Sequence, residues 1–373
     1  MPVGKEKKVK KPYEQLIGIT RAALHGEPYS GELEPEAVLP LARAHQLEHI
    51  LAHAMAERDD ARLSTKLYNA VWLAEQQRAA LAEASALLSE AGIDHLPLKG
   101  SVLREHYPEP WIRNSCDVDI LVKDADLESA ATLLSGAGYV RDEEGKSAHD
   151  VVFTRGCVAL ELHYTLIESY RFPNMATVLE SVWERTAPTD GHRYAMTDEM
   201  FYFYHIAHMV KHFENGGCGI RSFTDLWVLN HRLEFDPLKR ETLLALGGID
   251  KFASAALDLA ERWFGDGREA NEELARFVIS GGAYGSVEAA AKVKRSRHGG
   301  RVKYLLTRLF VPYEQLRRYY PMLERHPYLT PVYQVVRWFS ALKRRDVYAR
   351  ELKSGVEGGE DSLSGLLSDL GLK

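Results

Sequence analysis

The spacing of apolar residues changes along this chain, and the changes divide it into regions. Over residues 12–92 the spacing is helical, and the stretch 63–88 is rich in Ala, Leu and Glu. Ala91-Gly92 then supplies a helix stop. The apolar residues with helical spacing include Leu39, Leu41, Leu47, Ile50, Leu51 and Met55. This pattern predicts an N-terminal helical region.

The middle of the chain has short apolar runs separated by turn residues. Strands mixed with helices over a short stretch favour a small mixed sheet, here across 93–185. The predicted strands are 93–98, 117–122, 139–141, 151–154 and 158–164, and the predicted helices are 102–107 and 126–137. Arg155-Gly156 lies between the last two strands, which predicts a hairpin. The predicted fold class is therefore α+β, a small mixed-sheet core flanked by N- and C-terminal helical regions.

The helical period returns after Thr197 and predicts a C-terminal helical domain over 186–350. Its predicted helices are 200–213, 223–233, 243–264, 304–309 and 333–345. The basic run 292–303 is predicted to be a solvated, mobile loop, because it has no interleaved aromatic residues for stacking on nucleic acid. Residues 351–373 are rich in Gly, Glu and Ser and are expected to be a disordered tail.

Composition narrows the class of protein. The chain has 373 residues, 45% of them apolar, and a net charge of -6, which argues against a protein whose main task is to coat nucleic acid. Three widely spaced cysteines suit a reducing compartment, and Cys116 is expected to be small and buried. The lysine-rich start lacks the layout of a secretory signal, and no apolar run is long enough to span a membrane. We expect a cytoplasmic protein without membrane contact.

The most informative motif joins Gly100-Ser101 to the acidic pair in Asp117-Val118-Asp119. A strand sends alternate side chains to one face, so Asp117 and Asp119 are expected to point together. Two carboxylates this close repel, and a divalent cation between them removes the repulsion; Mg²⁺ is commonly held by carboxylates and substrate phosphates. The Gly-Ser turn offers backbone N–H groups to a phosphate. The motif therefore indicates a nucleotide-phosphate site, although Asp-x-Asp also occurs by chance.

A third carboxylate would complete a two-metal site, and Glu161 is the best candidate. In the apolar strand 158–163, alternation places Glu161 and His163 on the face opposite Leu160 and Leu162. A lone Glu on a strand often only faces solvent. The apolar flanks and the histidine two residues later favour a site residue instead.

At this point the sequence resembles the DNA-polymerase-β-like nucleotidyltransferase superfamily, and more closely its bacterial family of uncharacterised nucleotidyltransferases. The resemblance covers roughly residues 40–345. It rests on a Leu-Lys-Gly turn, a Tyr-Pro, an Arg before Asp-x-Asp, and a later Glu-Leu-His. Those motifs are Leu98-Lys99-Gly100, Tyr107-Pro108, Arg113, Asp117-Val118-Asp119-Ile120-Leu121-Val122 and Glu161-Leu162-His163.

The resemblance implies a chemistry and a set of residues. Two Mg²⁺ ions would lie between Asp117, Asp119, Glu161 and the phosphates of an NTP such as ATP, and an NMP would pass to a hydroxyl-type acceptor with release of pyrophosphate. Acidic overall charge favours a small molecule or a protein over long RNA as the acceptor. Gly100 and Ser101 would cradle the β- and γ-phosphates, while Lys99, Arg113 and His163 would be further nucleotide-binding residues. Val102 departs from the superfamily pattern, which has a small polar residue there.

Histidines at 205, 208 and 212 have a spacing that places them on one face of a helix. Either they line the nucleotide cleft and bind nucleotide or acceptor, or they pack in an interdomain face. A zinc site is disfavoured, because no cysteine or carboxylate pair lies nearby at ligand spacing. Arg221 and Asp225 are expected to pair along a helix. Either His149 and Asp150 reach the site from the sheet edge or they provide loop polarity, and loop polarity is the favoured interpretation.

Two other functions remain open from the sequence. The first is a catalytically silent nucleotide-binding or interaction module with the same fold. The second is a kinase-like phosphotransferase that uses the γ-phosphate on the same metal pair. Product analysis distinguishes them, because nucleotidyl transfer releases pyrophosphate and a kinase releases NDP.

Overall fold

Helices dominate both ends of the chain in this computed structural model, and a sheet lies between them. The structure describes residues 11–56, 61–142, 149–285, 287–297, 306, 309–313, 316–317, 320–342 and 361–372. The N-terminal region is helical, as predicted, and its described residues form α1 (Pro12–His25), α2 (Pro35–Ala44), α3 (Glu48–Ala54) and α4 (Ala61–Glu90). Proline opens α1 and α2, where its missing N–H has no intrahelical partner to lose.

Within the described residues the sheet has seven strands in the order β3-β4-β5-β2-β1-β7-β6. Its strands are β1 (His95–Pro97), β2 (Asp117–Val122), β3 (Val140–Arg141), β4 (Asp150–Arg155), β5 (Val158–His163), β6 (Thr186–Asp190) and β7 (Arg193–Met196). Pairs β2–β5 and β1–β7 are parallel and the others are antiparallel. The mixed sheet and the β4–β5 hairpin are confirmed, but the sheet continues to Met196, past the expected boundary at 185.

Short helices connect the strands. They are α5 (Lys99–Leu103), α6 (Leu127–Gly136) and α7 (Pro173–Glu180). The helix expected over 102–107 begins earlier, at Lys99, and its second half is a 3-10 turn, Arg104–His106. The earlier start places Gly100 and Ser101 inside the first turn of α5.

The C-terminal part contains α8 (Asp198–Glu214), α9 (Ile220–Arg232), α10 (Pro237–Gly247), α11 (Asp250–Phe264), α12 (Glu272–Gly281), α13 (Val287–Arg297), α14 (Met322–Arg325), α15 (Thr330–Leu342) and α16 (Asp361–Asp369). The single helix predicted over 243–264 is wrong. Gly248 adopts a left-handed conformation, with φ of 67°, and ends α10 before α11 begins.

Two further predictions for this part are wrong. The basic run is helical as far as Arg297, with Val293 and Arg295 buried, because the alanines at 289–291 just before it favour helix and Val293 packs inward. The disordered tail is contradicted over α16, where Leu366 and Leu367 are buried in the core shared by the N- and C-terminal helices. Residues 298–305 and 343–360 lie outside the described residues, and so does most of the helix predicted at 304–309.

Two hydrophobic cores lie on opposite faces of the sheet. On one face, Val118 and Ile120 of β2 and Leu160 of β5 pack with α4 and α6. The opposite face of β2 presents Leu121 to the larger core, which joins the N-terminal helices to α8, α9 and α11. Polar residues on this second face therefore lie between the sheet and the helical half of the protein. None of the described helices is long and apolar enough to cross a membrane.

Candidate nucleotide and metal site

Three carboxylates meet on the sheet face that looks toward the C-terminal helices. Strands β2 and β5 run parallel with Asp119 directly beside Glu161. Asp117 precedes Asp119 by two residues on β2 and so points to the same face, whereas Val118 lies in the opposite core. The alternation predicted for both strands is therefore confirmed. Its physical cause is the apolar core under α4 and α6, which fixes the face that each strand buries.

Asp119 is held by two cationic partners. Its Oδ1 accepts a hydrogen bond from Lys99 Nζ at 2.9 Å and lies 2.8 Å from His163 Nε2. The Asp119 residue is 1% exposed. Burial alone raises the pKa of this carboxyl, but the charges and hydrogen bonds of Lys99 and His163 outweigh burial and lower the pKa overall. Asp119 is therefore ionised, and the three side chains form one buried charged network.

Lys99 and His163 respond to the same network. Burial disfavours the charged form of each, yet the carboxylates around them reverse that effect and raise the pKa of both groups. His163 Nε2 also lies 3.3 Å from Glu161 Oε2, so one imidazole contacts two of the three carboxylates. Its position thus depends on both β2 and β5.

Asp117 has the opposite electrostatic environment. Burial raises the pKa of its carboxyl, and the negative charges of Asp119 and Glu161 raise it further. Ser115 Oγ donates a hydrogen bond to Asp117 Oδ1 at 3.1 Å. Ligand atoms of Asp119, Glu161 and His163 lie within 4.8 Å of one another, close enough to surround one metal ion. A bound cation would remove the repulsion that Asp117 experiences.

The turn at 99–101 lies against the loop that leads into β2. Lys99 has a positive φ of 43°, an uncommon conformation for a residue with a side chain. A Cβ added at Gly100 would lie 2.9 Å from Ser115 Oγ and 3.3 Å from Arg113 Nη1. Glycine therefore allows the turn to approach this loop closely. Ser101 is buried in the first turn of α5.

Arg113 joins this loop to helix α9. Its Nε donates to Asp225 Oδ1 at 2.7 Å, and Tyr107 donates to the same oxygen at 2.6 Å. The predicted Arg221–Asp225 pair is therefore wrong: Arg221 donates to Gln46 Oε1 at 3.2 Å and to the Asn114 carbonyl at 3.1 Å. Helical spacing could not predict this contact, because Arg113 lies 112 positions before Asp225 in the chain.

The three predicted histidines line one cleft between the 99–103 turn and helices α8 and α9. The cleft is also lined by Lys99, Arg113, Tyr204, Arg221 and Tyr284. His205 Nε2 lies 3.0 Å from the Ser222 carbonyl, while the Nε2 atoms of His208 and His212 lie 3.2 Å apart. Burial lowers the pKa of all three, that of His212 to about 4, so the imidazoles are neutral. Among the described residues, His208 and His212 belong to no set of three metal ligands.

Sequence reasoning misjudged several neighbours of the site. Asp150 lies at the start of β4, buried and opposite His163, so its interpretation as loop polarity is wrong. Cys116 is exposed rather than buried, because it precedes β2 and lies outside the sheet. Tyr204 was not among the predicted site residues, yet its hydroxyl interacts electrostatically with Lys99 and with all three carboxylates. A signal for Tyr204 existed in its one-turn spacing from His208.

Together, fold and site define an α+β protein with a cluster of carboxylates beside a glycine turn and a cleft lined by Lys99, Arg113 and Arg221. A family described as uncharacterised nucleotidyltransferase matches residues 31–265, most of the chain. The protein belongs to this family, and the resemblance noted in the sequence is confirmed. No curated protein and no solved structure matches the chain.

Proposed function

We propose that the protein transfers a nucleotidyl group from a Mg²⁺-bound NTP to a hydroxyl-type acceptor on a small molecule or a protein, and that pyrophosphate leaves. The observation that carries this proposal is the register of β2 and β5, which sets Asp119 beside Glu161 with Asp117 on the same face. The glycine turn packs against the loop before Asp117, so phosphate-binding groups and metal-binding groups are neighbours. Family membership supports the same class of reaction.

The donor set fits magnesium. Mg²⁺ prefers oxygen ligands and usually keeps part of its coordination for water and phosphate, so two or three carboxylates are a suitable protein contribution. Asp117, Asp119 and Glu161 would hold two ions. Burial and the neighbouring carboxylates raise the pKa of Asp117. A raised pKa of this kind is expected where a bound cation, and not a protein side chain, supplies the balancing positive charge. Bound Mg²⁺ would neutralise phosphate charge and make the acceptor hydroxyl more acidic.

The cleft supplies the remaining binding groups. Lys99 and Arg221 line it, and Arg221 has hydrogen bonds to neutral partners, so its charge is available to a phosphate. Gly100 and Ser101 lie in the first turn of α5, and we assign binding of the β- and γ-phosphates to this turn. Arg113 has a carboxylate partner in Asp225 and acts mainly by fixing the wall of the cleft.

Neutral histidines line the rest of the cleft. Because burial keeps His205, His208 and His212 uncharged, they offer hydrogen bonds to nucleotide or acceptor without adding charge. His163 orients Asp119 through its Nε2. Transfer of this kind depends mainly on positioning and charge neutralisation, which these residues supply from α5, β2, β5, α8 and α9.

The decisive experiment has two parts. Calorimetric titration with ATP and GTP, with and without Mg²⁺, compares wild type, Asp117→Asn and the exposed surface control Glu128→Gln. We expect Mg²⁺-dependent binding in wild type and control only. Incubation with α-labelled NTPs and cell extract then identifies the acceptor. Release of NDP instead of pyrophosphate would indicate a kinase, and metal-independent binding that survives Asp117→Asn would indicate a silent binding module.

A further inference from the structure

A second group of metal-ligating side chains lies one strand further along the sheet. Asp150 of β4 is the direct cross-strand partner of His163 at the end of β5, and His149 immediately precedes it. Antiparallel partners have Cβ atoms roughly 5 Å apart on the same face. Asp150 and His163 therefore face the helical half of the protein together, beside the carboxylate site but on its outer flank.

The donor atoms of this group converge. A ring nitrogen of His149, a ring nitrogen of His163 and a carboxylate oxygen of Asp150 all lie within 4.8 Å of one another. His149 Nε2 is 3.1 Å from Asp150 Oδ2, and the two imidazole rings are 5.8 Å apart. Asp150 and His163 are 7% and 2% exposed, so water cannot easily solvate them. Two imidazoles and one carboxylate, with a position left open, form a common ligand set for zinc and related ions.

An independent observation points to a ligand at this place. The Nε2 atom of His163 is committed to Asp119, but its Nδ1 is buried and has no hydrogen-bond partner among the described residues. A buried polar atom without a partner is costly, so its position is suited to a ligand or ion. Metal-bound histidines typically use one ring nitrogen for the metal and the other for a carboxylate, and His163 already has the second half of this arrangement in Asp119.

His149 has a comparable environment. Its Nδ1 lies 3.8 Å from Glu168 Oε1, on the side of the ring away from Asp150. Lys211 Nζ lies 3.4 Å from His149 Nε2 and 3.4 Å from Glu168 Oε2. The lysine ammonium therefore lies beside the ligand cluster. A metal ion would compete with it for His149 Nε2 and for the negative charge of Asp150.

We propose that His149, Asp150 and His163 form a second metal site for a zinc-class divalent ion, distinct from the magnesium site on Asp117, Asp119 and Glu161. The ion binds His163 through Nδ1, and Lys211 moves away from His149 toward Glu168. Because His163 contacts Asp119 through its other nitrogen, the ion locks the orientation of a carboxylate in the magnesium site. The site therefore positions the nucleotidyl-transfer residues without contacting the substrate.

The test uses the full chain, stripped of metal by a chelator and dialysed, without nucleotide and with excess Mg²⁺ present. Co²⁺ is followed by its visible absorption and Zn²⁺ by calorimetry, and the midpoint of thermal unfolding is recorded with and without Zn²⁺. The variants are Asp150→Asn, His149→Gln, Lys211→Met and Asp117→Asn. His192→Gln is the matched control. His192 Nδ1 lies 2.8 Å from Asp94 Oδ1, and His192 lies between β6 and β7, toward the other edge of the sheet.

We expect one Zn²⁺ per wild-type chain, with affinity reduced about 100-fold in Asp150→Asn and His149→Gln. Removal of the competing ammonium in Lys211→Met tightens binding roughly tenfold. Asp117→Asn and the control keep wild-type affinity, and Zn²⁺ raises the unfolding midpoint wherever it binds.

Several results would overturn the proposal: binding unchanged in both Asp150→Asn and His149→Gln, binding lost in Asp117→Asn, or no Zn²⁺ bound by the wild type. If either ligand variant fails to fold, Lys211→Met decides, because unchanged or weaker affinity there contradicts the proposed competition. None of these measurements involves NTP, so a failure here is separate from a failure of nucleotidyl transfer.

Discussion

Replacing Asp117 and Asp119 by asparagine, one at a time, should move the stability of the metal-free protein in opposite directions. Both carboxylates belong to the proposed magnesium site, so both variants should lose nucleotidyl transfer. Their environments differ, however: Asp119 contacts Lys99 and His163, whereas Asp117 is opposed by the negative charges of Asp119 and Glu161. Stability therefore reports the electrostatic design of the site independently of activity.

The magnitudes follow from burial and spacing. Asp119 and His163 are 1% and 2% exposed, and removing one partner from a buried ion pair costs about 3–5 kcal/mol. Residues two apart on a strand are roughly 7 Å apart, where two like charges repel by about 2 kcal/mol at an effective dielectric constant near 20. Attraction between Asp117 and Lys99 offsets part of this gain. We expect Asp119→Asn to lose about 3 kcal/mol and Asp117→Asn to gain about 1 kcal/mol.

Urea unfolding of the two variants and the wild type, in EDTA without nucleotide, measures the difference. The dependence on pH has a defined sign for each group. The pKa of Asp119 is lowered in the fold, so its stabilisation is present above the ordinary aspartate pKa of 3.8 and is lost as pH falls below it. The pKa of Asp117 is raised in the fold, so ionisation of this carboxyl destabilises the fold as pH rises above 3.8. An Asp119→Asn variant as stable as wild type would show that Lys99 and His163 do not stabilise this carboxylate.

Two further predictions concern stability outside the metal site. Asp225→Asn leaves buried Arg113 without its anion and should cost about 3 kcal/mol in urea unfolding, whereas Glu128→Gln breaks an exposed pair with Arg141 and should leave stability nearly unchanged; equal losses would contradict this ranking. Burial lowers the pKa of His49 from 6.5 to about 4, so His49 alone should reduce stability by roughly 2 kcal/mol at pH 5, in addition to the contributions of the other buried histidines. His49→Gln should remove that share of the pH dependence, and an unchanged slope would exclude His49 as a contributor.

Much of the candidate site could be predicted from sequence because its signals are local. Asp117 and Asp119 lie two apart on one strand, and Glu161 and His163 repeat that spacing on another, so alternation alone placed each pair on one face. Helical spacing likewise placed His205, His208 and His212 on one face. Each of these patterns is contained in a few consecutive turns or strand residues.

The misjudged residues depend on contacts distant in sequence. Asp225 was paired with its helical neighbour, but Arg113 and Tyr107 reach it from a loop more than a hundred residues away. Asp150 looked like a loop residue because nothing local shows which strand will lie beside it. The helix break at Gly248 is a different case: it was missed because the apolar period continues through it, although glycine is the usual residue for a left-handed helix end.

By itself, the sequence determined which residues face together within each strand and helix, because side-chain direction follows from the period of the local backbone. It also determined the class of fold, since runs of apolar residues must bury themselves in layers. Only the tertiary structure decided which strands became neighbours, and therefore that Glu161 lies beside Asp119 and Asp150 beside His163. Strand order depends on the packing of both cores at once, and no short segment of the chain carries that information.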